Sequence, residues 1–190
     1  MQDADLFMEL AGIAGVFVGF GALIAVRSGG PSQPEELAPM RGMVSMGMLT
    51  ILAALAPVTL GRYDLGEHQV WALSSAIALA GWVVMLAAMA GTPEYRANWS
   101  AELEADRTRP RWRLVAGSAF FVLLMIAVSL TPVAILLGVA PDLEAALYYA
   151  LVVLILLGAG WTLLEMVFAQ RSPAGEPDRA DLPTAGGASA

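Results

Sequence analysis

One carboxylate stands out among the side chains that could do chemistry. Glu165 is set in the apolar run Leu163-Leu164-Glu165-Met166-Val167, with Thr162 three residues earlier on the same helical face. A charge at the centre of a hydrocarbon layer costs about 2.5–3.5 kcal/mol on insertion scales, so it must face protein or water and find a partner. Two readings stay open. Arg171 follows within two turns, and Arg113, Arg41 or Arg27 end nearby, which suits a structural ion pair. The other reading is an ion or proton path. Glu9 sits about one turn inside the outer, N-terminal end of the first apolar run, where its side chain reaches the headgroup region. The two glutamates stand near opposite membrane faces and cannot work as a carboxylate pair.

Pro57 and Pro132 each delete a backbone hydrogen bond and can kink a helix. Thr59 and Thr131 stand close enough to help satisfy the freed carbonyls. Such kinks either set shape or form a paired gate at the outer side. Gly12, Gly15 and Gly19 form a small-residue face that lets helix backbones approach closely, within the chain or between copies. Met40, Met43, Met46 and Met48 crowd one segment. Thioethers can bind copper(I), although methionine is also an ordinary flexible filler of cores.

Catalysis finds little footing. The chain has no cysteine and a single histidine, His68, which excludes disulfides, thiolate metal sites and thiol nucleophiles. It carries no Ser–His pairing, no metal-ligand spacing and no phosphate-binding glycine loop. The sequence therefore predicts neither an enzyme nor a bound cofactor. A net charge of −7 argues against a nucleic-acid partner.

The elements that must position these residues are apolar helices. The 190 residues are 58% hydrophobic and 14% charged, with a mean hydropathy of +0.68. A soluble domain of that length could not hide so much apolar surface. Five runs, at 6–26, 42–60, 70–90, 114–137 and 145–169, match the roughly 20 residues a spanning helix needs. Their continuity favours helices over the in-and-out alternation of a barrel. The expected fold is thus an all-α, five-span bundle over 1–171. Residues 172–190 read as a disordered cytoplasmic tail and 28–39 as a flexible loop. Asp3 and Asp5 before the first run are unlike the basic leader of a cleaved signal peptide, so that run reads as a retained helix.

Arginine placement predicts orientation. Nine of the ten arginines, among them Arg107, Arg109, Arg111 and Arg113, fall in segments that share one side if there are five spans; Arg62 alone falls opposite. By the positive-inside rule the N-terminus is then outside and the C-terminus cytoplasmic. The four named arginines serve as cytoplasmic anchors able to meet anionic lipid headgroups. The sequon Asn98-Trp99-Ser100 falls in the same predicted cytoplasmic loop. Trp71, Tyr148, Tyr149 and Trp112 are expected at the interfaces.

The hairpin of spans two and three parallels that of spans four and five. Pro57-Val58 answers Pro132-Val133, Asp64-Leu65 answers Asp142-Leu143, Trp71-Ala72-Leu73 answers Tyr149-Ala150-Leu151, and Ala80-Gly81-Trp82 answers Ala159-Gly160-Trp161. Both copies enter from the same side, so the sequence predicts a parallel duplication, not an inverted repeat.

The opening stretch from Leu10 to Ile24, closed by Arg27, resembles the first helix of small uncharacterised bacterial multi-spanning membrane proteins. The resemblance covers that span alone. It implies a bacterial inner-membrane location and brings no activity or site residues. Polar residues within the spans are sparse, so the expectation is a non-enzymatic membrane subunit or scaffold acting through helix packing and assembly. Its partners would be lipid, a second copy or another membrane protein. The alternative is a small channel or transporter with a polar path near Glu165 and the kinked helices, and a lesser one is copper(I) handling.

Overall fold

The computed structural model describes residues 4–27, 34–92 and 111–169, with side chains for 4–24, 40–92, 119 and 121–164. These residues form five helices: α1 (Ala4–Arg27), α2 (Pro34–Leu60), α3 (Glu67–Gly91), α4 (Arg111–Leu136) and α5 (Glu144–Ala169). No strand occurs among the described residues. Four stretches, Ala4–Ile24, Met40–Leu60, Glu67–Gly91 and Pro141–Leu164, are long and apolar enough to cross a membrane, and a shorter one, Phe121–Leu136, lies in α4. A helix meets nearly all of its backbone donors and acceptors internally, which is what an apolar solvent requires.

Local sequence sets the helix ends. At the start of α3, Gln69 Oε1 accepts the Gly66 N–H at 3.2 Å, one half of a capping box. At the end of α4, Val139 N donates to Ala134 O and Gly138 N to Ile135 O, the two bonds of a Schellman turn. That turn needs a left-handed residue, and Gly138 supplies it at φ 62°. A 3-10 turn, Pro141–Leu143, then leads into α5. α2 begins at Pro34, earlier than the loop expected over 28–39. Proline is tolerated in a helical first turn, where its missing N–H would have had no partner.

α2 is the axis of the bundle, packed on α1, α3 and α5. α4 closes the ring by packing on α3 and α5, and α1 lies against α2 with a lesser contact to α5. Close approach occurs where glycine faces a neighbour. A Cβ at Gly47 would lie 2.7 Å from Val18 Cγ2 and 3.4 Å from the Ala14 carbonyl oxygen. Gly21 faces Met43 and Val44, Gly81 faces Leu49, and Gly158 faces Met46 and Leu124 in the same way.

The small-residue face read from the sequence is elsewhere. Gly12, Gly15 and Gly19 are exposed, and a Cβ at any of them would meet nothing within 4 Å. α1 instead buries Phe7, Leu10 and Ala14. Within the chain the packing role belongs to Gly21, Gly47, Gly81 and Gly158.

Candidate functional site

The α2–α3 and α4–α5 connectors lie at one end of the bundle, and the interhelical polar contacts of His68 and Tyr148 lie toward it. Phe7, Trp71, Tyr148 and Tyr149 form an aromatic cluster with ring centroids 5.7–6.3 Å apart. Trp71 and Tyr148 are 5% and 0% exposed, so they are core residues and not the interfacial anchors expected of them. Phe7 joins α1 to the other helices through this cluster.

Tyr148 does more than fill space. Its hydroxyl donates to the Ala53 carbonyl at 2.7 Å, with the Ser74 carbonyl oxygen at 3.4 Å. Ala53 lies four residues before Pro57. In a regular helix its carbonyl would accept the N–H of residue 57, which proline lacks. A hydroxyl from α5 therefore replaces the hydrogen bond that Pro57 removes from α2. The expected donors act elsewhere: Thr59 Oγ1 donates to Leu55 O, and Thr131 Oγ1 to Ala127 O at 2.7 Å. Both are backbone carbonyls one turn back, and neither is the one a proline frees.

Ser74 stands beside the Tyr148 hydroxyl through its backbone carbonyl. Ser74 Oγ and Ser75 Oγ are fully buried and meet no hydrogen-bond partner among the described residues. Other hydroxyls are bonded within the bundle. Thr50 Oγ1 donates to Met46 O at 2.8 Å, Ser129 Oγ to Met125 O at 2.7 Å and Thr162 Oγ1 to Ala159 O at 2.8 Å. Ser129 Oγ also accepts the Trp82 indole N–H at 3.1 Å, tying α3 to α4.

At the rim, His68 Nδ1 and Glu144 Oε1 are 2.7 Å apart, joining the first turn of α3 to the first turn of α5. Glu144 is only 4% exposed, while the His68 side chain is 57% exposed. A carboxylate in the first turn of α5 is also favoured by the helix dipole. A Cβ at Gly138 would lie 4.0 Å from His68 Cε1, so the α4–α5 turn passes directly beside the imidazole. An open cleft of about 410 Å³ flanks the cluster between α1 and α5, lined by Leu6, Phe7, Ala145, Ala146 and Tyr149.

The residues singled out from sequence are scattered by comparison. Pro57 and Pro132 are buried, and Glu9 is exposed. Thr162 lies on α5 with its hydroxyl on its own backbone. Glu165 falls on α5, but its side chain is outside the described residues, as are those of Arg111 and Arg113 on α4. Arg107, Arg109, the sequon at Asn98 and the tail from 172 lie outside the described residues altogether. The methionines do not converge: Met43 faces Gly21 of α1, Met46 faces Gly158 of α5, and Met48 is exposed. Among the described residues no group of three or more His, Asp, Glu or Cys is placed to hold a metal ion.

Sequence reasoning missed Tyr148, Ser74 and the His68–Glu144 pair. A signal for Tyr148 existed, since a proline inside an apolar helix strands the carbonyl four residues back. It pointed to a donor on another helix, which spacing alone could not select. Compared with protein-family models, curated proteins and solved structures, the chain matches none.

Proposed function

We propose that this chain is a non-enzymatic, multi-pass membrane subunit that works by assembly, through the glycine face of α1. The observation that carries the reading is the outward placement of Gly12, Gly15 and Gly19, clear of every described neighbour. A helix face without side chains admits another backbone closely, which is how helices associate where lipid removes the hydrophobic drive. The in-chain hydrogen bonds point the same way: Thr50, Thr59, Ser129, Thr131 and Thr162 all donate to backbone carbonyls of their own helices. Hydroxyls so engaged have spent their proton within their own helix, which leaves a solute path short of donors.

The proposed setting is a bacterial inner membrane crossed five times, with the N-terminus outside and the C-terminus in the cytoplasm. The arginine distribution supports that orientation. The 26 residues of α4 support a fifth span, being about 39 Å long at about 1.5 Å per residue. The closed ring of α2–α3 with α4–α5 fits a duplicated hairpin.

The reading is tested by replacing Gly12, Gly15 and Gly19 together with leucine and measuring mass in mild detergent. Room for each new side chain exists, so the fold should survive. The wild type is expected as an oligomer or complex that the triple variant reduces to monomers. An unchanged mass would count against assembly through α1.

A channel or transporter is the second reading, favoured by the buried Ser74 and Ser75 hydroxyls of α3, which meet no hydrogen-bond partner among the described residues. It requires Glu165→Gln to abolish flux in proteoliposomes; undiminished flux removes Glu165 from any such path.

A further inference from the structure

We propose that the α4–α5 turn is a lipid anchor: Leu137, Val139 and Leu143 enter the acyl-chain boundary of one leaflet, while the α2–α3 turn at the same end stands in water. The two connectors differ in chemistry. After Pro57 the first charged residue comes five positions on, at Arg62; after Pro132 it comes ten positions on, at Asp142. Residues 61–69 are exposed throughout and carry Arg62, Asp64, Glu67 and His68. The α4–α5 turn is just as open but apolar, with Leu137 73% and Val139 69% exposed. A bare apolar patch of this kind marks a surface that something covers.

Continuity identifies the cover as lipid. Leu123, Leu130 and Leu137 are all exposed and stand two helical turns apart, so one outward stripe runs the length of α4 into the turn. Where α4 crosses the bilayer that stripe faces acyl chains, and Val139 and Leu143 prolong it past Leu136, where the helix ends. The backbone tolerates such a place, because polar groups leave water cheaply only when already bonded. The Leu137, Gly138 and Val139 N–H groups donate to the carbonyls of Val133, Ile135 and Ala134, Leu143 N donates to Ala140 O, and Pro141 has no N–H. The exposed Asp142 beside Leu143 stops the turn at the headgroup boundary, since a charge deeper in hydrocarbon is costly. The end of the bundle is therefore stepped, one hairpin tip held in the leaflet and the other standing clear of it. The inference rests on α4 being a fifth span and is independent of the α1 glycine face.

The chain has no cysteine, so a single introduced cysteine carries a nitroxide label to one chosen site of the full protein in phosphatidylcholine nanodiscs. Power-saturation EPR then compares collisions with oxygen, which concentrates in lipid, and with a nickel chelate, which stays in water. Leu130→Cys reports on mid-helix, Val139→Cys on the turn and Tyr63→Cys on the other connector. All three native side chains are exposed, so the labels displace no core. The oxygen-to-nickel collision ratio at the Val139 site is expected to be several-fold above that at the Tyr63 site and closer to that at the Leu130 site. Leu137→Cys gives the same reading should Val139→Cys fail to fold. A ratio at the Val139 site equal to that at the Tyr63 site, with the Leu130 site in lipid, overturns the anchor and leaves the fifth span standing. A water-like ratio at the Leu130 site removes both. A Val139 label shielded from both reagents means that protein covers the turn, which also overturns the proposal.

Discussion

The repair of Pro57 by Tyr148 makes a quantitative prediction about two residues 91 positions apart. Tyr148→Phe keeps the ring in its cluster and removes only the hydroxyl, leaving the Ala53 carbonyl without its 2.7 Å donor. Stranding a buried acceptor costs about 1–3 kcal/mol in water-soluble proteins. Interhelical hydrogen bonds measured in a membrane average about 0.6 and reach about 1.7 kcal/mol, so roughly 1 kcal/mol is the expected loss. In the Pro57→Ala background, residue 57 regains an N–H for the same carbonyl. There Tyr148→Phe should cost only a few tenths of a kcal/mol, giving a coupling of about 1 kcal/mol between the sites. Denaturant titration in mixed micelles of the wild type, both single variants and the double variant measures it. Additive effects, within about 0.3 kcal/mol, would refute the argument that the hydroxyl stands in for the missing N–H.

Three further outcomes follow from the packing. Gly47→Ala puts a methyl 2.7 Å from Val18 Cγ2 and should destabilise by about 1–3 kcal/mol, whereas Gly91→Ala, where nothing lies within 4 Å, should be neutral; equal effects in thermal unfolding would contradict the α1–α2 contact. Ser129→Ala leaves the Trp82 indole N–H without its acceptor and should lower stability by roughly 0.6–1.7 kcal/mol, a loss absent when Trp82 is already phenylalanine. Glu144→Gln and His68→Ala should each cost about 1 kcal/mol, at the low end for a charge-assisted bond because the imidazole is half in solvent, and the double variant should cost little more than either. Additive losses would show that the two groups do not support each other.

Element type was legible in the sequence because helices in an apolar medium are dictated by run length. Every expected run is a helix, and four of them are apolar enough over a sufficient length to cross a membrane. The prolines and glycines were legible as special positions but not in their roles. Gly15 and Gly47 look alike in one dimension; one faces away from the bundle and the other meets Val18. Hydropathy cannot make that distinction, because lipid-facing and core-facing residues are equally apolar in a membrane protein. Tyr148 and Trp71 were misassigned for a related reason. Their position near a span end suits an interfacial belt, yet α1 delivers Phe7 over them and closes the cluster.

The dependence of α2 on Tyr148 has a corollary for biogenesis. The donor lies 95 residues after the carbonyl it serves. At about 5–20 residues per second, α2 leaves the ribosome roughly 5–20 s before α5 can reach it. Throughout that interval the nascent chain carries in its central helix a peptide oxygen whose α5 donor has not yet been made. Maturation is therefore completed from the last hairpin backwards, and a truncation before Tyr148 should leave an insertion intermediate that quality-control proteases recognise.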